Sequence, residues 1–506
     1  MVFIPFRIVG ACRPARRGWA ARGAPGVRLA AIAAACVLAS AGAGAEVSGT
    51  GAIAAIPVSL QPASPAVGDS EIKTRLDSAA ELVVAGEPLH RGLLRQFYGA
   101  HGFQPVWSVR PSQADALVNA VLRAGDHGLD PELFHGALLR GAAALSPNDR
   151  DLLLSDAFLT YADALARGAL PLEQRMDDED LTPEPVSVAA ALDNAIGSAD
   201  PATAIGALAP NSPDYVALRQ ALQSYRAAAQ DGIATAIDAA SDNPRNRQRA
   251  AANRSGDNGN EARLRQIEVN LERLRWMPRH LPADRVWVNL PNAQLVLYRN
   301  DQPVFSTRVV IGQLDWQTPE LQTDITSLLF NPPWNVPPSI ASLEILPKLS
   351  QSPDYMARHH MVFRHNGAIQ QLPGAGTALG QLKFEMPNRF DVYLHDTPLK
   401  ALFSRDNRRQ SHGCVRVQNP RELAALLLQQ PVEVIDKGIA LGTTNRRMLP
   451  EPIPVFLVYL TAFPGPNGTI EFRPDIYQRN DEIWQHLHPA RQAPVAQGEA
   501  VGQRKS

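Results

Sequence analysis

The amino-acid sequence predicts a multidomain α+β protein in which an α-helical domain precedes a β-rich domain. Apolar residues recur at helical spacing over residues 71–230, whereas residues 284–463 contain segments that alternate or run apolar over strand lengths. A polar stretch, residues 231–262, separates the two patterns. Because the chain has 506 residues, each region is long enough to bury a core of its own.

The N-terminal segment has the charge order and apolar run of a secretory leader. Several arginines precede the run LAAIAAACVLASAGAGA, which ends in an Ala-x-Ala cleavage pattern at residues 43–45. We therefore expect residues 1–45 to be a signal peptide, with an uncleaved membrane anchor as the alternative. Residues 46–70 are small and rich in Pro and Ser, which predicts a flexible tether.

Residues 71–230 predict a helical scaffold domain. Leu117 and Val121 are spaced for one face of a helix, and Asp130 followed by Pro131 reads as an N-cap and a first helical residue. Similar apolar spacing continues to the end of the region. Nothing in it resembles a catalytic constellation, so we predict a structural role.

The second half of the chain predicts a β-rich domain with an insertion. Residues 231–262 are polar with few large apolar groups, which is typical of a linker. An amphipathic helix and several strand-like segments follow, and we assign residues 263–463 to this domain. A long interruption between its strands, assigned to residues 335–386, predicts an inserted lid. Residues 464–506 form a C-terminal extension.

The composition excludes several classes of function. Apolar residues make up 45% of the chain and charged residues 20%, which is ordinary for a globular protein. A net charge of −1 argues against a protein that coats nucleic acid or an anionic membrane. We expect no nucleic-acid partner, and membrane contact only through the leader if it stays uncleaved. No His, Cys, Asp or Glu spacing fits a recognised metal site, so we expect neither a metal nor a cofactor.

The segment RRQSHGCVRVQNP contains Cys414. The other cysteines, Cys12 and Cys36, fall in the predicted leader, so the secreted chain keeps one cysteine that cannot form an internal disulfide. A lone cysteine is in general a small buried apolar residue. The neighbours of Cys414 decide between that reading and a nucleophile.

A nucleophilic cysteine needs a base within hydrogen-bond reach, and two histidines compete for this role. His412 lies two residues upstream in the same segment, which limits how squarely its ring can meet the thiol. His395 ends the predicted strand RFDVYLHD and can approach from a separate element. These positions favour His395. Tyr393 lies on the same face of that strand.

The backbone around Cys414 suits the stabilisation of an oxyanion. Gly413 allows close backbone approach, and the amides of Gly413 and Cys414 are expected to be free to point at a substrate oxygen. Downstream, Asn419 as N-cap and Glu422 at the third helical position suggest a capping box. A helix is therefore predicted soon after the strand-like VRV that follows Cys414.

The pattern HDTP…SHGCVRV closely resembles the signature of L,D-transpeptidases with a YkuD-type catalytic domain, and fifteen residues separate His395 from Ser411. The segments IGQLDWQTP, TALGQLKFEMPNRFDVYLHDTP, NLERLRWMPR, QPVW and DHGLDP are similar to the YcbB-like subfamily. The resemblance covers roughly residues 75–230 and 263–485. It implies an α-helical scaffold domain plus a β-rich YkuD-like L,D-transpeptidase catalytic domain with an inserted lid subdomain.

The resemblance implies a periplasmic enzyme of Gram-negative cell-wall biogenesis and cell shape that forms 3→3 peptidoglycan cross-links and is acylated by carbapenems. Cys414 would attack the carbonyl between the third residue of a stem tetrapeptide and its terminal D-Ala. D-Ala would leave, and an amine of another stem would resolve the thioester. His395 would be the proton donor and acceptor, oriented by the backbone of Asp396, with His412 in support. A thiolate–imidazolium pair is expected, because a protonated His lowers the pKa of a nearby thiol.

Three further residues are candidates for substrate binding. Arg416 is expected to order the loop or meet a substrate carboxylate, with a structural salt bridge as the alternative. Trp334, in NPPWNVPP, is expected to be either a substrate platform or a core residue. Tyr393 is the third candidate, because it lies on the same face of the predicted strand as His395. The insert 335–386 leads into the strand of His395, so we expect it to cover the cleft and exclude water.

The chain departs from the subfamily in its wall-binding parts. Many YcbB-like proteins carry a small peptidoglycan-binding module between the helical and catalytic domains, where this chain has only residues 231–262. Peptidoglycan stem peptides are the expected partners, with other cell-wall synthesis enzymes as further candidates. The same Cys-His site also suits an L,D-carboxypeptidase, or a hydrolase or transferase of the wall–lipoprotein amide. A non-enzymatic wall-binding scaffold is the rival class.

Overall fold

The computed structural model describes residues 70–230, 258–374 and 376–489. The predicted signal peptide 1–45, all but the last residue of the tether 46–70, residues 231–257 of the linker and residues 490–506 lie outside these ranges. Within the ranges that are described, no helix is long and apolar enough to cross a membrane.

The first part of the chain folds into a helical domain, as the apolar spacing predicts. Short strands interrupt it at β1 (Val83–Val84), β2 (Glu87–Pro88) and β3 (Glu179–Asp180). The helices are α1 (Glu71–Asp77), α2 (Arg91–Ala100), α3 (Pro111–Leu122), α4 (Gly136–Gly141), α5 (Pro147–Arg167), α6 (Val188–Gly197), α7 (Pro201–Gly206), α8 (Pro213–Gln230) and α9 (Asn258–Arg275).

Helix α5 lies at the centre of this domain. Ser146 caps its N-terminus by accepting a hydrogen bond from the Asp149 amide, and Pro147 occupies the first helical position, where no amide donor is needed. Most of the helix is buried, and its buried residues include Asp151, Ser155 and Asp156 as well as apolar residues. The apolar residues of α5 pack in one core with the helices around it.

The second part of the chain folds around one continuous sheet. Its main strands are β4 (Arg285–Asn289), β5 (Gln294–Arg299), β6 (Gln302–Gly312), β7 (Glu320–Phe330), β11 (Leu382–Glu385), β12 (Leu394–His395), β14 (Val415–Val417) and β15 (Asn445–Val458). They are ordered β11-β12-β14-β6-β5-β4-β15-β7, and β11 also pairs with β7, which closes the sheet into a barrel. Strand β13 (Arg409–Ser411) pairs with β6, and β3 of the helical domain pairs with β7.

Local turn chemistry sets part of this topology. The segment RNDQ forms a hairpin turn between β5 and β6, and both Asn300 and Asp301 have positive φ, as a type I′ turn requires. Helices α13 (Pro420–Leu428) and α14 (Val432–Ala440) follow β14 and pack on the barrel core. Helix α13 begins at Pro420 as predicted, but the capping box is wrong because Asn419 makes no side-chain capping hydrogen bond.

The lid is a small subdomain with its own core. Strand β8 (Trp334–Asn335) pairs with β10 (Ile369–Gln371), which pairs with β9 (Met361–Phe363). Between β8 and β9 lie α10 (Pro338–Ile340), a π-helical segment (Ala341–Ile345), α11 (Leu346–Gln351) and α12 (Tyr355–Arg358). The predicted end of the insert at 386 is wrong, because β11 belongs to the barrel. We call residues 335–381 the lid.

Two other predicted boundaries are wrong for one physical reason. The prediction that helix α9 belongs to the β-rich domain is wrong, because its Ile267 and Leu271 are fully buried in the core of the helical domain. The prediction of a separate C-terminal extension from residue 464 is also wrong. Strand β16 (Ala462–Pro464) spans that boundary, β17 (Ile470–Phe472) and α15 (Asn480–Leu487) follow it, and Ile483 and Leu487 join the same core. An amphipathic helix packs wherever its apolar stripe is covered, and sequence order does not determine that place.

Candidate active site

The pairing of β12 with β14 brings the predicted site residues together. These strands are parallel neighbours, and the fully buried Leu394 and Val415 are paired residues in the barrel core. Side chains alternate between the two faces of a strand, so the residues on either side of these two point away from that core. The face outside the core therefore carries Tyr393, His395, Cys414 and Arg416.

Cys414 is held as a neutral thiol. Its Sγ is partly buried and donates a long hydrogen bond, 3.9 Å, to the Asp391 carbonyl. Burial raises the pKa of the thiol. Hydrogen bonds from Tyr393 and the positive charges of Lys383 and Arg416 act in the opposite direction but do not outweigh burial.

His395 is held as a neutral imidazole. It is 4% exposed, and burial together with the charge of Arg416 lowers its pKa to about 3. Its Nδ1 lies 2.5 Å from the backbone oxygen of Asp396. A carbonyl can only accept, so Nδ1 carries the proton and Nε2 keeps the lone pair that a general base requires.

The expected thiolate–imidazolium pair is therefore not what this structure favours. The pKa of Cys414 is raised and that of His395 is lowered, so both groups are neutral near neutral pH. Among the described residues, the thiol is hydrogen-bonded to Asp391 and not to His395. Catalytic hydrogen bonds are often long or misaligned in the absence of substrate, so this geometry is compatible with proton transfer during acylation.

The Asp396 carboxylate anchors the segment that orients His395. It accepts hydrogen bonds from the Gln381 amide at 2.9 Å and from Lys400 Nζ at 2.6 Å. Gly380 lies against this carboxylate, because a Cβ at that position would approach Asp396 Oδ2 to 2.4 Å. Gly380 also has a φ of +60°, which disfavours residues with a side chain.

Gly380→Ala is expected to destabilise the protein by about 1–3 kcal/mol, because the new methyl group displaces the Asp396 carboxylate and the backbone is strained. Chemical denaturation measures the change in the free energy of unfolding. Gly376→Ala is the matched control, since Gly376 lies in the same loop, has no positive φ and has nothing within 4 Å of the added Cβ. Equal stability of the two variants would contradict the prediction.

The turn that carries Cys414, residues 411–414, is closed by its own hydrogen bonds. The Ser411 hydroxyl donates to the Cys414 carbonyl at 2.6 Å and accepts from the Gly413 amide at 3.2 Å. Gly413 has a φ of +103°, which glycine adopts without steric strain and other residues rarely adopt. The expectation that the Gly413 amide is free is wrong for this structure, so an oxyanion role for it requires the bond to Ser411 to open.

The contacts of His412 argue against a role as the base for Cys414. Its Nε2 forms a short contact with the Glu344 carboxylate, which belongs to the π-helical segment of the lid. The ring of Trp316 meets His412 edge to face, with 5.4 Å between ring centroids. The lid is thus attached to the residue two positions before Cys414.

Glu344→Ala is expected to loosen the lid and to raise the alkylation rate of Cys414 by a small thiol reagent about 2–5-fold. The Glu344 and His412 side chains are 36% and 29% exposed, and ion pairs of this kind contribute only about 0–1 kcal/mol. Thiol titration over time measures the rate. Lys348→Ala is the matched control, because Lys348, in the adjoining helix α11, has its Nζ 3.8 Å from Glu344 and is not bonded to His412. A control with the same acceleration would show that the His412 contact does not hold the lid.

Lys383 is a site residue that the sequence analysis missed. It is paired with His395 across β11 and β12, and its Nζ lies 4.2 Å from the centre of the Tyr393 ring. The alternation of QLKFE would have placed Lys383 on a strand face, but that segment was assigned to the lid. Trp334 packs against the lid core, and its indole N–H donates a hydrogen bond to the Tyr393 hydroxyl.

The salt-bridge alternative for Arg416 is wrong. Within residues 70–230, 258–374 and 376–489, its guanidinium makes no ion pair, and its buried Nε has no hydrogen-bond partner. Arg416 and Lys383 therefore place two positive charges beside Cys414. Within the described residues, neither charge forms an ion pair with a carboxylate.

Comparison with known proteins bears on both domains. Residues 283–436 match the family model of the YkuD L,D-transpeptidase catalytic domain, and residues 92–222 match that of the Scaffold domain. A Haemophilus influenzae protein described as "Putative L,D-transpeptidase" is 32% identical over 240 residues, which are 43% of this chain and 48% of the relative. The chain thus spans about half the length of this curated relative.

Two solved structures are more distant. An NMR structure of the catalytic domain of the E. faecium L,D-transpeptidase acylated by ertapenem is 13% identical, with 35% of this chain and 99% of that chain covered and a TM-score of 0.20. An L,D-transpeptidase from Mycobacterium smegmatis is 10% identical, with coverage of 35% and 58% and a TM-score of 0.21. The two family matches and the observed architecture describe a multidomain α+β protein, in which residues 283–436 are similar to the YkuD L,D-transpeptidase catalytic domain and residues 92–222 to the Scaffold domain.

Proposed function

We propose that this protein is a cysteine-dependent peptidoglycan L,D-transpeptidase that forms 3→3 cross-links between stem peptides. The observation that carries the proposal is the pairing of β12 with β14, which sets His395 and Cys414 on one face of a YkuD-family domain. Tyr393 contacts the thiol from the same face. A thiol, a neutral imidazole and positive charge on one face suit acyl transfer to sulfur.

The first half-reaction is acylation. The Cys414 sulfur attacks the carbonyl between the third residue of the donor stem and its terminal D-Ala, while His395 Nε2 takes the thiol proton. The proton then passes to the D-Ala nitrogen as the C–N bond breaks, so D-Ala leaves as an amine and a thioester remains. The Cys414 amide is the primary candidate to stabilise the oxyanion, because the Gly413 amide is bonded to Ser411.

The second half-reaction is transfer. The side-chain amine of the diamino acid in another stem attacks the thioester, His395 accepts its proton, and the proton returns to the Cys414 sulfur. In this scheme the lid, attached through Glu344 to His412, helps keep water from the thioester. Hydrolysis would otherwise turn the same site into an L,D-carboxypeptidase.

Arg416 and Lys383 are the proposed carboxylate-binding groups of the donor site. Both are positively charged, and Arg416 keeps a buried nitrogen without a partner within the described residues. A substrate carboxylate would satisfy this donor through a charge-assisted hydrogen bond. Tyr393 and Trp334 would flank the bound stem.

Mass spectrometry of muropeptides incubated with the purified protein tests the proposal. We expect dimers linked 3→3 together with released D-Ala. Tripeptides without dimers would identify a carboxypeptidase, and transfer to or release from a lipoprotein amide would identify wall–lipoprotein chemistry. The absence of any covalent product, with muropeptides still bound, would support a non-enzymatic wall-binding scaffold.

The proposed compartment is the periplasm of a Gram-negative cell, reached through the signal peptide predicted at residues 1–45. The family matches support action on the cell wall, and membership of the YcbB-like subfamily is part of the proposal. Acylation by carbapenems and contact with other cell-wall synthesis enzymes follow from the same resemblance.

A further inference from the structure

Arg479 occupies a buried junction between the helical domain and the barrel. It is 1% exposed and lies between β17 and α15, outside both ranges matched by the family models. Its Nη1 donates to Glu320 at the start of β7 at 3.0 Å, and its Nη2 forms a short contact with Asp178 beside β3. The cavity next to it measures about 10 Å³, which is room for one water at most, so the cluster does not suit a ligand.

The same guanidinium also holds a loop of the catalytic domain. The Gln317 side-chain oxygen accepts from Arg479 Nε at 3.0 Å and from Nη2 at 2.9 Å. The Thr318 carbonyl accepts from Nη2 at 3.4 Å. We call residues 313–319, which connect β6 to β7, the support loop.

The support loop in turn contacts the turn that carries the nucleophile. The Gln313 amide donates to the Ser411 carbonyl at 3.0 Å, and the Thr318 hydroxyl donates to the Gly413 carbonyl at 2.8 Å. The Gly413 carbonyl and the Cys414 amide belong to the same peptide group. The Thr318 hydroxyl therefore fixes the orientation of the amide proposed for the oxyanion.

A second buried side chain limits the freedom of Thr318. The Tyr477 hydroxyl accepts from the Thr318 amide at 3.3 Å and donates to the Gly312 carbonyl at 2.7 Å. The guanidinium of Arg479 lies 5.1 Å from the centre of the Tyr477 ring. Thr318 is thus held at its amide by Tyr477, at its carbonyl by Arg479 and at its hydroxyl by Gly413.

We propose that Arg479 is a positioning residue that transmits the placement of the helical domain to the Gly413–Cys414 peptide through Gln317 and Thr318. The inference rests on the proposed function, because it concerns an amide that matters only when an oxyanion forms. Donors to an oxyanion must lie within a few tenths of an ångström of their place. A misplacement of about 1 Å can cost about 100-fold in rate.

The test compares two reactions of the same thiol in the full chain. Acylation by a carbapenem forms an oxyanion at a carbonyl, whereas alkylation by iodoacetamide needs only an accessible sulfur. We expect Arg479→Gln to lower the acylation rate about 10–100-fold and to change alkylation less than about 2-fold, at a temperature well below its unfolding transition. Arg479→Lys keeps a charge for Asp178 and Glu320 but loses the fork to Gln317 and Thr318, so we expect an intermediate loss.

Two further variants separate positioning from stability. Arg389→Gln is the matched control, because Arg389 also joins the two domains, through the Asp177 carbonyl at 2.8 Å and Asp180 at 3.3 Å, without contacting the support loop. We expect its ratio of acylation to alkylation to equal that of the parent. Gln317→Ala removes the two hydrogen bonds between the Gln317 side chain and Arg479, and it leaves the ion pairs of Arg479 and its bond to the Thr318 carbonyl in place. It therefore tests the inference even if Arg479→Gln does not fold.

The ratio of acylation to alkylation in these variants either supports or contradicts a positioning role for Arg479. A selective loss of acylation in the Arg479 and Gln317 variants supports positioning. Parent ratios in Arg479→Lys and Gln317→Ala, with only a lowered thermal transition, would reduce Arg479 to a structural residue. An equal loss in Arg389→Gln would assign the effect to general loosening of the junction. Failure of the parent to be acylated at all would contradict the proposed function before the inference is reached.

Discussion

Cys414→Ser is expected to abolish stem-peptide turnover and covalent capture of a carbapenem while the protein remains folded. A serine hydroxyl is far less ionised and less nucleophilic than a thiol. The side chain changes by one atom at a partly buried position, so packing is nearly conserved. Intact-protein mass spectrometry after incubation with a carbapenem measures the capture.

The control for this prediction is the thermal transition, which should match that of the parent. Cys414→Ala should be equally inactive, because either substitution removes the sulfur. If the Ser variant shows the same mass shift as the parent, another residue is the nucleophile and the site is misassigned. If both variants unfold, Cys414 is needed for packing, and the expectation of a folded variant is wrong.

His395→Ala is expected to slow acylation by about 10²–10⁴-fold, the usual contribution of a general base. His412→Ala is the matched control and should cost much less, because its ring is bonded to Glu344 and packed against Trp316. Single-turnover acylation measured by mass spectrometry gives both rates. A greater loss in His412→Ala than in His395→Ala would show that His412 is the base.

The pH dependence of acylation gives an independent test of His395. Its pKa is lowered to about 3, so the imidazole is neutral and able to accept a proton at every pH above that value. The pKa of Cys414 is raised, so its thiol stays protonated through neutral pH. We therefore expect the acylation rate to be nearly constant between about pH 5 and pH 8. A loss of rate on acidification with a midpoint near 6.5 would contradict this, because it would report a histidine with an ordinary pKa.

Much of the architecture could be predicted from local sequence. The hairpin at Asn300 and Asp301 follows from turn residues that tolerate positive φ, and most barrel strands follow from their period of two. The choice of His395 over His412 follows from strand alternation and from the short tether of His412 to Cys414. These features depend on neighbours within a few residues, so the sequence records them directly.

The predictions that failed depend on contacts between distant segments. Helix α9 and the C-terminal residues pack with the helical domain, because their apolar faces are covered there. Lys383 reaches the site because β11 pairs with β12, and Glu344 reaches His412 because the lid folds back onto the barrel. No local pattern specifies which distant partner a strand or a helix face will find.

The electrostatic state of the site has the same origin. The residue types in HDTP and SHGC are compatible with an ion pair or with a neutral pair, and burial decides between them. Removing His395 and Cys414 from water penalises their charged forms, and Arg416 adds a positive charge that further disfavours a protonated His395. The sequence by itself determines which ionisable groups are present. Their protonation, and the hydrogen bonds that connect Arg479 through the support loop to the turn of Cys414, are decided only by the tertiary structure. The physical reason is that both depend on which atoms surround a group once water is excluded.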